Sequence, residues 1–241
     1  PDSAEGFQYL AMAYDNIGDR PNSQLASAQA LFVAAKYVEA RTQAKRAQEL
    51  DPSSPIIAAN LASVYLIKGD DDAALRAGKM AAELGLSQKN GGVEALVALR
   101  RRQWDEAKRW LVEDGMPKEI REIIPRFVDA VADPALRPGV VASLRAFDPK
   151  IAPQLQFVEP YLQLGQVDLV FTVLQDSLGH GERDWARQLD TKHLWAPEGR
   201  ALRTDPRFGA VAERMGMVDY WKQYGYPDGC RSGTDAPIVC S

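Results

Sequence analysis

The chain has 241 residues, 46% of them hydrophobic and 26% charged, a composition that supports a substantial core and argues against a disordered polymer. A net charge of −4 supplies no basic field for phosphate neutralisation, so nucleic-acid binding has no compositional support. No run approaches the roughly 18 apolar residues of a membrane span, and two Cys with two His leave little for a metal centre or a nucleophile–base pair.

The chain opens on Pro1 rather than Met, which leaves room for an upstream segment, and no signal-peptide pattern is visible. A first helix is expected over about Ala4 to Ile17, with Phe7, Leu10, Ala11 and Tyr14 on one face and Gly18 at its end. After Gly18-Asp19-Arg20-Pro21 a second helix carries Leu25, Ala28, Leu31 and Phe32. A third spans Tyr37 to Leu50 and stops before Asp51-Pro52, because proline disfavours helical geometry in its predecessor. Helices are next expected over Pro55–Lys68, Asp71–Leu84, Val93–Arg102, Trp104–Val112, Lys118–Val131, Pro134–Phe147, Pro153–Leu164 and Val167–Leu178. From Gly179 the texture changes to Gly, Pro and Arg among aromatics, with short helices expected near Asp184–Leu189, Pro206–Met215 and Val218–Tyr224.

Within this order lies a repeat. Ala28, Ala40 and Ala47 in the block 21–54 recur, shifted by 34, as Ala62, Ala74 and Ala81 in the block 55–88, with Leu61 and Tyr65 alongside and Gly69-Asp70 at the turn. A small residue at a helix crossing lets two backbones approach, while large neighbours fill the grooves beside it. The pattern is identified as tandem tetratricopeptide repeats (TPRs). It implies an all-α fold, a right-handed helical-hairpin solenoid over residues 1–178 whose register degenerates after residue 89. Residues 179–241 then form an irregular, aromatic-rich C-terminal cap over the array's exposed end.

Two stretches carry further resemblances. Tyr9-Leu10-Ala11-Met12-Ala13-Tyr14 with Gly18-Asp19, then Ala40 and Gln43-Ala44-Lys45-Arg46-Ala47, resembles the TPR tails of periplasmic zinc metalloproteases, although the chain lacks the His-Glu-x-x-His of their catalytic part. Leu194-Trp195-Ala196-Pro197-Glu198, Leu202-Arg203-x-Asp205-Pro206-Arg207-Phe208, Gly216-Met217-x-Asp219-Tyr220-Trp221 and Pro227-Asp228-Gly229-Cys230 are similar to the C-terminal tail of many bacterial TPR proteins. Among these are proteins whose TPR region follows a winged-helix or nucleotide-cyclase domain. The resemblance implies the sensory region of a bacterial regulator and transfers no catalytic residue.

Candidate chemistry is sparse. His180 and His193 lack further ligands at metal-site spacing, and Asp70-Asp71-Asp72 reads as a helix N-terminus stabilised by acids. Arg100-Arg101-Arg102 point in three directions on a helix and read as cations at its C-terminus. The sharper alternative has Arg100 receiving a carboxylate or phosphate from a partner. Trp195, Phe208 and Trp221 read as core rather than as a ligand cage. Neither a catalytic residue nor a cofactor or metal site is assigned.

Register places Asn22, Leu25, Gln29, Phe32 and Val33, then Ile56, Ala59, Asn60, Ser63 and Ile67, on the concave face lined by first helices. The expected partner-binding groove is Leu25, Gln29, Phe32, Asn60, Ser63, Ile67 and Arg100. Of the Lys and Asn residues with which some TPR proteins clamp a terminal carboxylate only Asn60 matches, so a partly apolar groove for a protein or peptide segment fits better. A helical-repeat enzyme or enzyme accessory and a homodimerisation module are the competing classes. Cys230 and Cys240, ten positions apart in a Gly- and Pro-punctuated segment, are expected to form a disulfide worth about 3 kcal/mol by loop entropy. That bond points to a periplasmic location; two unrelated thiols in a cytoplasmic protein are the alternative.

Overall fold

The computed structural model describes residues 37–86, 92–112, 115–146, 158–179, 192–234 and 236–241. The helices expected before residue 37 and near Asp184–Leu189 lie outside them. In chain order the described helices are α1 (Tyr37–Leu50), α2 (Pro55–Ile67), α3 (Asp71–Glu83), α4 (Gly92–Arg100), α5 (Trp104–Leu111), α6 (Lys118–Ala132), α7 (Arg137–Arg145), α8 (Val158–Gln163), α9 (Val167–Gly179), α10 (Lys192–Trp195), α11 (Arg200–Arg203), α12 (Phe208–Arg214) and α13 (Met217–Tyr224). Short 3-10 turns at Pro134–Leu136 and Pro197–Gly199 precede α7 and α11. The one non-helical element among the described residues is an antiparallel pair, β1 (Cys230–Arg231) with β2 (Val239–Cys240), in which Cys230 faces Cys240. The described residues are thus all-helical apart from that pair, and within each unit consecutive helices stack as hairpins, α1 on α2 on α3 and α4 on α5 on α6 on α7.

The chain divides into two compact units, residues 1–86 with 174–241, and residues 87–173. One division falls at 86/87 and the other inside α9.

In the first unit, α1 packs on α2 and α2 on α3. The Ser54 hydroxyl accepts from the Ile57 amide and Pro55 occupies the first turn of α2, where its missing N–H costs nothing. Asp70 caps α3 in the same way, its carboxylate accepting from the Ala73 amide at 3.2 Å. Between the two helices the Gly69 amide reaches the Leu66 carbonyl and the Asp70 amide the Tyr65 carbonyl. This pair of hydrogen bonds closes a helix on a left-handed residue, and Gly69 has φ +75°. The crossings are made by alanines: Ala40, Ala47, Ala62, Ala74 and Ala81 are all fully buried. Leu61, at 1% exposure, fills the groove beside them.

The C-terminal segment belongs to this same unit. Trp195 stands edge-on to both Phe208 and Trp221, with centroids 5.8 and 5.7 Å away. All three rings are buried, as a core reading of the aromatics requires. Arg203 lies over the Trp195 ring and donates to the Leu194 and Ala196 carbonyls, tying α11 to α10. α10 in turn contacts α2, and Pro197 packs over Gly69 at the α2–α3 turn.

In the second unit α4 packs on α5, α5 on α6 and α6 on α7. Ala95 and Ala107 take the small positions at 1% and 0% exposure. Polar contacts clamp successive helices: Lys108 to Asp129 at 2.6 Å joins α5 to α6, and Arg126 donates to the Ser143 hydroxyl of α7. The helix expected over Pro134–Phe147 begins instead as a 3-10 turn. The Asp133 carboxylate captures the Ala135 amide at 2.9 Å and holds the chain in a tighter local geometry before α7 starts.

Candidate binding face

α2 is apolar almost all round, with Ile57, Ala58, Leu61, Ala62, Val64, Leu66 and Ile67 buried. Its least buried stripe is Ile56, Ala59, Asn60 and Ser63, spaced three and four apart so that they lie above one another on one side. Ile56 is 54% exposed, the most exposed large hydrophobic side chain among the described residues. Asn60 donates through its amide to the Ile56 carbonyl at 2.9 Å, and the Ser63 hydroxyl donates to the Ala59 carbonyl at 3.2 Å. These bonds fix both side chains against their own helix. The stripe therefore offers an apolar end at Ile56 and a polar middle with a preset orientation.

Of the residues expected to form a groove, Asn60 and Ser63 stand together on this stripe. Leu25, Gln29 and Phe32 lie outside the described residues. Ile67 continues the stripe by register, yet it is 4% exposed and part of the core, so it is not an accessible anchor. The neighbouring Lys68 is bridged to Asp228 of the C-terminal segment at 3.2 Å, which brings the tail to that end of α2. Arg100 is half-buried at the end of α4, in the other unit. The three consecutive arginines do not converge: Arg100 ends the helix, while Arg101 and Arg102 are exposed in the turn that follows.

Asp228 is named in the sequence only as part of the Pro227-Asp228-Gly229-Cys230 stretch, with no role assigned to it. Its Oδ2 accepts from the Val38 amide in the first turn of α1 at 3.1 Å and from Lys68 Nζ. One carboxylate thus binds the start of α1 and the end of α2. Its partners lie 190 and 160 positions away, so no local pattern reveals it.

The Arg207 guanidinium holds the Asp205 carboxyl below its usual range through their hydrogen bonds. Burial raises the Tyr220 phenol, with Tyr224 and Glu39 adding to it, and burial raises Tyr161 against the opposing charge of Arg145. Among the described residues no group of three or more His, Cys, Asp or Glu is placed to hold a metal ion, and no helix is long and apolar enough to cross a membrane. Cys230 and Cys240 are disulfide-bonded, with Cα atoms 4.1 Å apart.

Compared with known proteins, the chain matches no family model and no curated sequence.

Proposed function

We propose that the chain is a protein- or peptide-binding scaffold of TPR type that takes a partner segment along the Ile56–Asn60–Ser63 stripe of α2. The observation that carries this reading is that stripe itself: on a helix whose Ile57, Leu61, Val64 and Leu66 are buried, this side is accessible and mixes an aliphatic anchor with amide and hydroxyl groups. Such a surface suits an extended or helical segment, with Ile56 contributing most and the polar groups setting orientation. Buried alanines recurring at 34-residue intervals, Ala40 with Ala74 and Ala47 with Ala81, support the TPR identity. The disulfide favours an oxidising compartment such as the periplasm.

The test places a photo-crosslinking amino acid at position 60, and at exposed Glu83 of α3 as a control, in the source cell envelope. Position 60 is expected to trap a discrete protein adduct and position 83 none. Ile56→Asp with Asn60→Ala is expected to abolish capture of that adduct's partner while keeping the helical circular dichroism signal. A folded double variant that captures the same partner equally well removes α2 as the binding face.

A further inference from the structure

We propose that the Cys230–Cys240 disulfide is a redox latch that sets whether the C-terminal segment grips the first turn of α1 and the end of α2. The grip is Asp228, whose carboxylate accepts from the Val38 amide and pairs with Lys68. Asp228 sits in the turn two residues before Cys230 and immediately before Gly229, whose carbonyl accepts from both the amide and the hydroxyl of Ser241. Asp228 lies just outside the closed ring from 230 to 240, in a turn where the Cys230 amide donates to the Pro227 carbonyl at 3.0 Å, so the ring and the turn that carries the carboxylate share Cys230. Within the ring β1 and β2 are two residues each, and a pair so short is not stable alone without the bond that closes it. It is seated on the unit through Ile238, 4% exposed, and Pro237, which packs on Gly209 of α12.

Both cysteines are half-buried, so the bond is partly open to exchange. Reduction by a dithiol is balanced. A thiolate attacks one sulfur and forms a mixed disulfide, releasing the other cysteine as a thiolate; the second reagent thiol then displaces the first cysteine. Two electrons and two protons end on Cys230 and Cys240, and the dithiol leaves as a disulfide. Opening the ring frees the strand pair, returns the 228–231 turn to many conformations and takes Asp228 off its two partners. The first turn of α1 then loses a charge-assisted acceptor for one of the amides that a helix cannot satisfy internally.

The experiment follows amide hydrogen exchange at Val38 in the intact chain, before and after treatment with dithiothreitol, with mass spectrometry confirming two free thiols. Val38 is expected to exchange about tenfold faster once reduced, the scale of one lost hydrogen bond to a charged group. Asp228→Ala should accelerate Val38 similarly in the oxidised chain, and reduction of that variant should add little at Val38. Cys230→Ser with Cys240→Ser should match the reduced chain without reagent. Should the double serine variant fail to fold, the reduced wild-type chain, checked by circular dichroism, gives the same reading. Unchanged Val38 exchange in the fully reduced, folded chain overturns the latch, as do independent, multiplying effects of Asp228→Ala and reduction.

Discussion

Arg102 has φ +57°, and no other described non-glycine residue has a positive φ. Its amide reaches the Leu99 carbonyl at 3.1 Å and the Gln103 amide the Ala98 carbonyl at 2.9 Å. The Gly69 turn makes the same pair of bonds, and so does the turn at Gly165, φ +68°, where the Gln166 amide reaches the Tyr161 carbonyl. An L-residue in that conformation sets its Cβ too close to the following carbonyl, while glycine does not. Arg102→Gly is therefore expected to raise stability by about 1 kcal/mol, less the extra freedom glycine gains in the unfolded chain. Arg102→Ala retains the strained backbone and should show no gain. Chemical denaturation of the three proteins checks it, and equal midpoints for the Gly and Ala variants would refute the account. The turn at Arg102 thus keeps the geometry of the turns at Gly69 and Gly165 without the residue type that suits it.

At the scale of the helix, the alanine crossings carry the architecture. Ala62 on α2 and Ala74 on α3 have no exposed surface, and a leucine there adds three carbons where two backbones already approach closely. Ala74→Leu is expected to destabilise the chain by roughly 1–3 kcal/mol. The same change at Ala82, exposed on α3, should cost little. Thermal melts of both variants measure the contrast, and equal shifts would mean that Ala74 is no crossing. These helices were legible because small residues at fixed intervals are a local pattern: the expected 37–50 helix is α1, and 55–68 and 71–84 differ from α2 and α3 by one residue at the C-terminal end. Asn60 and Ser63 were placed by the same register. What the pattern does not carry is covering by distant segments. Burial of Ile67 follows from packing, and the Asp228 contacts join residues far apart in the chain. The four-residue helices α10 and α11 and the two-residue strands are shorter than any period that would announce them.

For the whole molecule, the consequential fact is that one compact unit is written in two pieces, residues 1–86 and 174–241, around a second written in one. The tail's aromatics belong with α1 to α3, since α10 meets α2, Pro197 meets Gly69, and Asp228 meets Val38 and Lys68. Synthesis from the amino terminus gives this arrangement an order in time. Residues 87–173 can complete their own core once they clear the ribosome, whereas α1 to α3 leave it earlier and must wait for residues 174–241. In nascent chains stalled at successive lengths, a protease should still cut within 37–86 after 87–173 has become resistant. Protection of 37–86 is expected when the tail through Ser241 has emerged. Early protection of 37–86 would show that these helices need no tail. For as long as the wait lasts, the apolar sides of α2 are open to the cell's holding chaperones, and α1 to α3, made before residues 87–173, are finished after them.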